Sequence, residues 1–503
     1  MIDFKKLQNG SDIRGVAMEG IAGQAVNLTP EAVTRIGAAF VLYLKKRLGK
    51  ETLRLAVGRD SRLSGESLRD AIAAGVVSQG ADLADFGLAS TPSMFMCTVL
   101  DRFCFDGAMM LTASHLPFNR NGVKFFTREG GLEKADITEI LTLAAGELPA
   151  SSKIGTLSQA EFLSVYAAHL SDIIKERVAA SDYAHPLAGF HIVVDAGNGA
   201  GGFFADQVLL PLGADISGSQ FLDPDGHFPN HAPNPEDKNA MDAIAACVKR
   251  NHADLGIIFD TDVDRAGAVG PDGTEVNRNR MIALLSAILL EEHPGTTIVT
   301  DSITSSGLAK FIVAKGGVHH RFKRGYRNVI NESIRLNNLG QDSQLAIETS
   351  GHGALKENYF LDDGAYMITK LLIKMAQLKR EGRTLLSLID DLEEPMESTE
   401  IRMNLSADNF AGYGAQVIDD LTVYAEAKKW SIAPDNHEGI RISFPQDDGD
   451  GWFLLRMSLH DPLMPLNIES NTVGGVKKIA EKLYDFLSQY EKLDYSGLFR
   501  VIS

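Results

Sequence analysis

A chain of 503 residues is too long for one hydrophobic core and predicts three or four domains. Its 44% hydrophobic and 23% charged content is that of an ordinary soluble globular protein. The net charge of −17 argues against nucleic acid or an anionic membrane as partner, but leaves phosphorylated small molecules open, because local arginines decide their binding.

In chain order, the opening Met1-Ile-Asp-Phe-Lys-Lys6 has no apolar signal core, so a cytoplasmic protein is expected. Leu53–Asp60 reads as a strand ending on an acid. A Ser/Gly loop follows, then a helix over Leu68–Val77 and the stop Gly80-Ala-Asp82. The same grammar returns in Phe190–Asp195, the loop Gly197–Gly202, a helix-like stretch to Leu212 and Gly213-Ala-Asp215. It returns again in Thr297–Asp301, Ser302–Gly307, a helix over Leu308–Lys315 and Gly316-Gly317. Three such crossover units predict three similar α/β domains. The apolar stretch Met281–Leu290 is too short for a bilayer and predicts a core helix. The last hundred residues lack the repeat. There Ile440–Phe444 and Trp452–Met457 read as strands around the acidic turn Asp447–Gly451, with a helix over Val473–Glu491 and the charged Asp391–Glu400 as linker. The expected fold class is α/β with a smaller α+β C-terminal domain, divided at 1–150, 151–272, 273–390 and 391–503. Cys97, Cys104 and Cys247 are too few and scattered for disulfides or zinc, and their apolar neighbours predict buried, reduced thiols.

Two segments carry chemistry. Leu255-Gly-Ile-Ile-Phe259 reads as a buried strand that delivers Asp260, Asp262 and Asp264 at alternate positions, followed by Arg265. Alternate side chains of an extended segment point the same way, and carboxylates that converge need a cation. Hard oxygen ligands with no His or Cys favour Mg²⁺. Arg265 adds a fork suited to phosphate. A calcium EF-hand fails here, because counting from Asp260 its glycine and glutamate positions hold Arg265 and Pro271. The second segment is Thr112-Ala-Ser114-His115-Leu-Pro117, with Asn121-Gly122-Val-Lys124 close behind. A loop hydroxyl beside histidine is a candidate nucleophile or phosphate carrier, and Lys124 a candidate proton shuttle. No Gly-x-Ser-x-Gly elbow surrounds Ser114, which disfavours a hydrolase triad. Gly197-x-Gly199-x-x-Gly202 matches the dinucleotide fingerprint, with Asp215 or Asp223 as the distal acid. The long proline-rich loop after Asp223 does not suit a nucleotide fold, so the glycines are read as a tight turn.

Taken together, Thr112–Pro117, Asn121-Gly122-x-Lys124, Asp260–Arg265 and Glu348-Thr-Ser350-Gly-His352 resemble the α-D-phosphohexomutase family of phosphomannomutases and phosphoglucomutases. Asp12-Ile-Arg14-Gly15, Val57–Gly65 and Asp225-Gly-His-Phe-Pro-Asn-His231 fit the same pattern in the same order. The resemblance implies four domains around a central cleft, the first three related. It implies a phosphoserine at Ser114 and Mg²⁺ held by Asp260, Asp262 and Asp264 with an oxygen of that phosphoserine. The implied reaction moves a phosphoryl group between O1 and O6 of a hexose, glucose or mannose, through glucose 1,6-bisphosphate or mannose 1,6-bisphosphate. Arg14 and Arg265 are then expected to hold phosphoryl oxygens, with His115 and Lys124 beside them. Glu348 and Ser350 match sugar-hydroxyl readers, and His352 a proton acceptor. Hexose phosphates are the implied partners, with no nucleic acid or membrane; the oligomeric state is open.

The chain departs from the family pattern in three places. Thr261 and Val263 replace the glycines of Asp-Gly-Asp-Gly-Asp-Arg, and Leu116 stands for the usual Asn. Arg456-Met-Ser458-Leu-His460-Asp-Pro462 replaces Arg-x-Ser-Gly-Thr-Glu-Pro. Arg456 and Ser458 remain to grip a distal phosphate, His460 can stand in for the threonine hydroxyl, and Lys323, Arg324 and Arg327 offer further basic contacts. These departures motivate two rivals, a sugar-phosphate binding homologue with little turnover and a sugar phosphatase. The acidic run also superficially matches the haloacid-dehalogenase motif, but Asp264 at its fifth position and the Ser114 loop argue against that family. Glucosamine is disfavoured, because Thr349 and the Lys323 loop differ from the amino-sugar pattern.

Overall fold

The computed structural model describes residues 2–458 and 461–503. The chain forms two compact units, one of Met1–Asn277 with Ser350–Leu386, the other of Arg278–Thr349 with Ser387–Ser503.

In the first unit, one sheet runs in the order Gln8–Asn9, Asp12–Val16, Arg120–Thr127, Gly107–Leu111, Arg54–Arg59, Asp82–Leu88, Leu157–Gln159. The last four strands are parallel, and Arg120–Thr127 is antiparallel to both its neighbours. The helix expected after Arg59 forms as Gly65–Ser78 and packs against Pro30–Leu48. The longer helix starts where Thr29 accepts from the Ala32 amide with Pro30 at the first position, and it stops at Gly49, φ 62°. Val33, Ile36, Phe40 and Leu44 recur at helical spacing and are wholly buried. Each contributes about 1.5–3 kcal/mol by leaving water.

A second sheet pairs Ile192–Asp195 in parallel with Leu255–Phe259, then continues antiparallel through Ala266–Val269 and Glu275–Val276. Here the helix-like stretch expected up to Leu212 is a single π-helical turn, Phe204–Leu209. Residues 350–386 return to this unit as a late segment. Their helix, Gly364–Arg380, packs on Leu163–Val178. The Tyr166 hydroxyl lies 2.6 and 2.7 Å from the two oxygens of Asp363, which also accepts from Asn358 and caps the helix at the Tyr366 amide. Burial raises the Asp363 carboxyl to about 6 against these hydrogen bonds.

The second unit holds a parallel sheet ordered Val318–Arg321, Thr297–Thr300, Ser343–Ile347. The apolar stretch Met281–Leu290 is the buried middle of the helix Arg278–Glu292, as expected; burial on every side explains why it shows no polar stripe. The third repeat helix is Ser306–Ala314, capped by Ser305. The C-terminal part is an antiparallel sheet ordered Glu397–Asn404, Leu463–Ser470, Gly451–Leu455, Ile440–Phe444, Ser431–Ile432, with helices Phe410–Ala427 and Gly475–Leu487. The last four residues of the expected linker, Glu397–Glu400, therefore lie in a strand. Its charges Glu400 and Arg402 alternate outward while Ile401 and Met403 enter the core. The architecture is thus α/β, with an α+β C-terminal part.

Cys97 and Cys247 are buried as expected, whereas Cys104 is partly exposed in a turn at φ 42°. Among the described residues no helix is long and apolar enough to cross a membrane.

Candidate active site

The first unit gathers most of the residues singled out in the sequence. Leu255–Phe259 ends one residue before Asp260, and residues 260–264 form a turn, not the extended run expected. The reason is the next strand, Ala266–Val269, which pairs antiparallel with Leu255–Phe259. The six residues between must reverse the chain. The carboxylates converge all the same: oxygens of Asp260, Asp262 and Asp264 lie within 4.8 Å of one another, and all three residues are buried. The turn places Val263 at φ 67°. A β-branched residue there costs about 1–3 kcal/mol, which the glycine of the family pattern avoids.

Ser114 follows the strand Gly107–Leu111 and also has a left-handed backbone, φ 49°. Its amide donates to Thr112 Oγ1 at 3.0 Å. Its hydroxyl donates to Asp260 Oδ2 at 2.9 Å and accepts from Arg265 Nη2 at 3.1 Å. Arg265 Nη2 is also 2.7 Å from His115 Nδ1. Lys124 reaches in from Arg120–Thr127, 2.9 Å from Asp262 and paired with Asp264. His352 Nε2 stands 3.9 Å from Asp264, and its Nδ1 2.9 Å from the Ser350 hydroxyl. Arg14 sits opposite Gly122 in the sheet and bonds Asp12 at 2.9 Å.

Burial dominates the electrostatics. It pulls His115 down to about 3, helped by Arg265 and Arg14, and drives His352 well below its ordinary value, so both imidazoles are neutral near pH 7. Burial, then Asp264 and Asp262, push the Asp260 carboxyl well up. Asp264 is also penalised by burial, but the charges of Lys124 and Arg265 outweigh that and hold it down. Three buried carboxylates face the two cations Lys124 and Arg265, and Asp262 Oδ1 and Asp264 Oδ1 are buried without a hydrogen-bond partner. Such orphaned hard oxygens fit a divalent cation.

Sequence reasoning missed three neighbours of this cluster. Thr91 donates from its hydroxyl to Asp262 Oδ2 at 2.5 Å and from its amide to Asp262 O at 2.8 Å. Asn234 Oδ1 accepts from Arg265 Nη1 at 3.0 Å, and Glu236 is 3.7 Å away. The only sequence signal for Thr91 was the helix start Ser90-Thr-Pro-Ser93; for Asn234 and Glu236 it was the proline-rich loop itself. The glycine fingerprint proves to buttress the acidic turn. A Cβ at Gly199 would meet Thr261 O at 2.6 Å, and Ala200 N donates to that same oxygen at 2.8 Å. The proline-rich loop is pinned by His231, whose Nε2 is 3.0 Å from the fully buried Asp195.

That pair predicts a pH signature. Burial pulls His231 down, but Asp195, with a smaller push from Asp237, raises it above its ordinary value of about 6.5. Its contribution to stability is therefore complete below that value and fades as pH rises through the higher folded one. His231→Gln is expected to cost about 1.5–3 kcal/mol at pH 6. Denaturant midpoints should show this gap narrowing by pH 9; a constant gap would contradict a protonated His231.

The second unit holds the other candidates. Glu348 is buried and accepts from the Gly325 amide. Thr349 donates to Asp301 at 2.8 Å. Arg324 N donates to Glu438 Oε1 at 2.9 Å, and Ser302 donates to the same oxygen. Glu438, unanticipated from the sequence, also faces Arg456: burial lowers that guanidinium first, and Glu438 opposes it. Lys323 Nζ lies 5.9 Å from the Phe322 ring, and Arg327 is the second residue of the helix Tyr326–Asn338. Ser458 N donates to Leu463 O at 2.9 Å, and its hydroxyl accepts from Asp461 N at 3.2 Å. His460 lies outside the described residues.

Residues 5–148, 165–273 and 277–396 match the models for phosphoglucomutase/phosphomannomutase alpha/beta/alpha domains I, II and III. The chain is 31% identical over 465 residues to a phosphoglucomutase of Neisseria meningitidis serogroup B, covering 92% of this chain and 93% of that one. It is 30% identical over 478 residues to a phosphomannomutase/phosphoglucomutase of Pseudomonas aeruginosa, covering 93% and 94%. Its fold is similar to the crystal structure of a phosphoglucomutase/phosphomannomutase family protein from Burkholderia thailandensis, with a TM-score of 0.79, 26% identity and coverage of 98% and 100%.

Proposed function

The chain belongs to the phosphoglucomutase/phosphomannomutase family, and from that premise we propose that it interconverts hexose 1-phosphate and hexose 6-phosphate, with glucose or mannose as the sugar. One observation carries the proposal: the Ser114 hydroxyl lies between Asp260 and Arg265, beside a buried group of three carboxylates.

Ser114 serves as the phosphate carrier. In the forward half, the Oγ–P bond of phosphoserine breaks and a P–O bond forms to the free hydroxyl of the hexose monophosphate. The hydroxyl proton passes to a base. The freed Ser114 oxygen takes up a proton. The resulting hexose 1,6-bisphosphate, turned over, then returns its other phosphoryl group: its sugar O–P bond breaks, the Oγ–P bond re-forms and the Ser114 proton passes to the freed sugar oxygen. Such transfer asks for positioning and charge neutralisation more than covalent help. Arg265 and Arg14 supply fixed forks for the non-bridging oxygens. Lys124 holds an ammonium among the carboxylates. His352, neutral and polarised by Ser350, is able to take the hydroxyl proton. Asp260, Asp262 and Asp264, with a Ser114 phosphate oxygen, are the residues to hold Mg²⁺, which when bound supplies Lewis-acid stabilisation of the phosphoryl group. Glu348 and Ser350 are assigned to sugar hydroxyls. Lys323, Arg324, Arg327, Arg456, Ser458 and His460 are assigned to the distal phosphate.

The test is ³¹P NMR of the protein with Mg²⁺, a trace of glucose 1,6-bisphosphate and either glucose 1-phosphate or mannose 1-phosphate. Growth of a 6-phosphate resonance is expected, and relative rates name the sugar. Release of inorganic phosphate alone would replace the proposal with a phosphatase. Silence in both tubes, with sugar phosphate still bound, would leave a binding homologue.

A further inference from the structure

Arg62 is among the most deeply buried charged side chains of the protein, 1% exposed, yet it touches no atom proposed to react. A guanidinium has five N–H donors, and burying it without partners is prohibitive. Here four of the five are hydrogen-bonded, all of them on Nη1 and Nη2, and Nε meets its carboxylate only as an ion pair. Nε faces Asp60 Oδ2 at 3.3 Å. Nη1 donates to the carbonyls of Pro117 and Arg120, at 2.8 and 3.0 Å. Nη2 donates to the carbonyl of Leu116 at 2.6 Å and to that of Ser114. Four of five donors thus end on one loop, residues 114–120. The Arg62 amide donates to Asp60 Oδ1 at 2.9 Å, and the Phe228 ring covers the guanidinium at 5.2 Å.

We infer that Arg62 is a positioning residue for phosphoryl transfer, a clamp that holds the Ser114 loop in its reactive shape. This rests on the function proposed above. Ser114 occupies a left-handed conformation that costs a non-glycine residue about 1–2 kcal/mol, so its surroundings must over-determine it. The four carbonyl bonds do so. They also fix direction: a planar trans peptide opposes its C=O and N–H, so holding the Ser114 carbonyl on Arg62 turns the His115 N–H away from Arg62. A lysine cannot reproduce this, because its three donors leave one point, not a planar fork.

The test uses full-length Arg62→Lys and Arg62→Ala. Hydrogen exchange of peptides spanning 113–121 should accelerate at least tenfold in Arg62→Lys, while exchange in Pro30–Leu48 stays as in wild type. Its kcat should fall about 100-fold, the scale of an ångström-sized misplacement, with KM within about threefold. Ethylguanidine should restore part of the kcat of Arg62→Ala. Two results overturn the clamp: wild-type exchange and kcat in Arg62→Lys, or exchange that accelerates throughout the first unit with a matching fall in melting temperature. If Arg62→Ala does not fold, Arg62→Lys decides. If the wild-type protein converts no hexose phosphate, the proposed function falls, while loop exchange still decides the clamp.

Discussion

Ser114→Ala is expected to lower turnover by roughly 10⁴-fold or more, the scale of loss when a covalent nucleophile is removed. The substitution deletes one oxygen and little else. Asp260 and Arg265, both bonded to that oxygen, are already 3.3 Å apart and can close on each other, so the fold should persist. Sugar-phosphate affinity should persist too, because the assigned sugar and distal-phosphate residues are untouched. Intact-protein mass spectrometry after incubation with glucose 1,6-bisphosphate gives an independent reading: wild type should gain a phosphoryl group that Ser114→Ala does not. Equal turnover in both proteins would remove Ser114 from the mechanism.

The second large effect concerns charge. Lys124→Met leaves Asp262 and Asp264 buried without their ammonium, and breaking such a pair costs about 3–5 kcal/mol. In chelator the variant should unfold at clearly lower denaturant than wild type. Magnesium should then recover much of the loss, since a ligand at one hundred times its Kd adds about 2.7 kcal/mol. The recovery should exceed the effect of magnesium on wild type, because removing a cation makes the carboxylate group more attractive to another. Activity should stay low even with magnesium. Midpoints in chelator and in magnesium decide the matter, and a variant indifferent to magnesium would refute the assignment of the three aspartates to a cation.

What was legible in the sequence was what short segments determine. Apolar runs announced Leu255–Phe259 and Met281–Leu290, and hydroxyl, acid and arginine at close spacing announced Ser114, Asp260, Asp262, Asp264 and Arg265. The shape of the acidic turn was not legible, because it is imposed by the pairing of the following strand. Thr91 was missed because its partner Asp262 is 171 residues away, a distance that no periodicity spans. Phe410–Ala427 was missed for a local reason. Its two glycines and β-branched residues have weak helix propensity, so the buried Val417, Leu421 and Ala425 must hold it in place through packing. Arg62 stood in a recognised motif, but nothing in its neighbours showed that four carbonyls fifty residues on would converge on it.

The late return of residues 350–386 to the first unit bears on how the protein is made. A chain emerging from the ribosome delivers Leu163–Val178 long before Gly364–Arg380, the helix that covers it. Until then Tyr166 lacks Asp363, and an apolar helix face stays open to solvent. The intervening 278–349 belongs to the other unit and must be synthesised first. Vectorial, domain-by-domain folding is therefore interrupted midway. A nascent chain stalled near residue 349 should recruit chaperones that one stalled past 386 no longer needs.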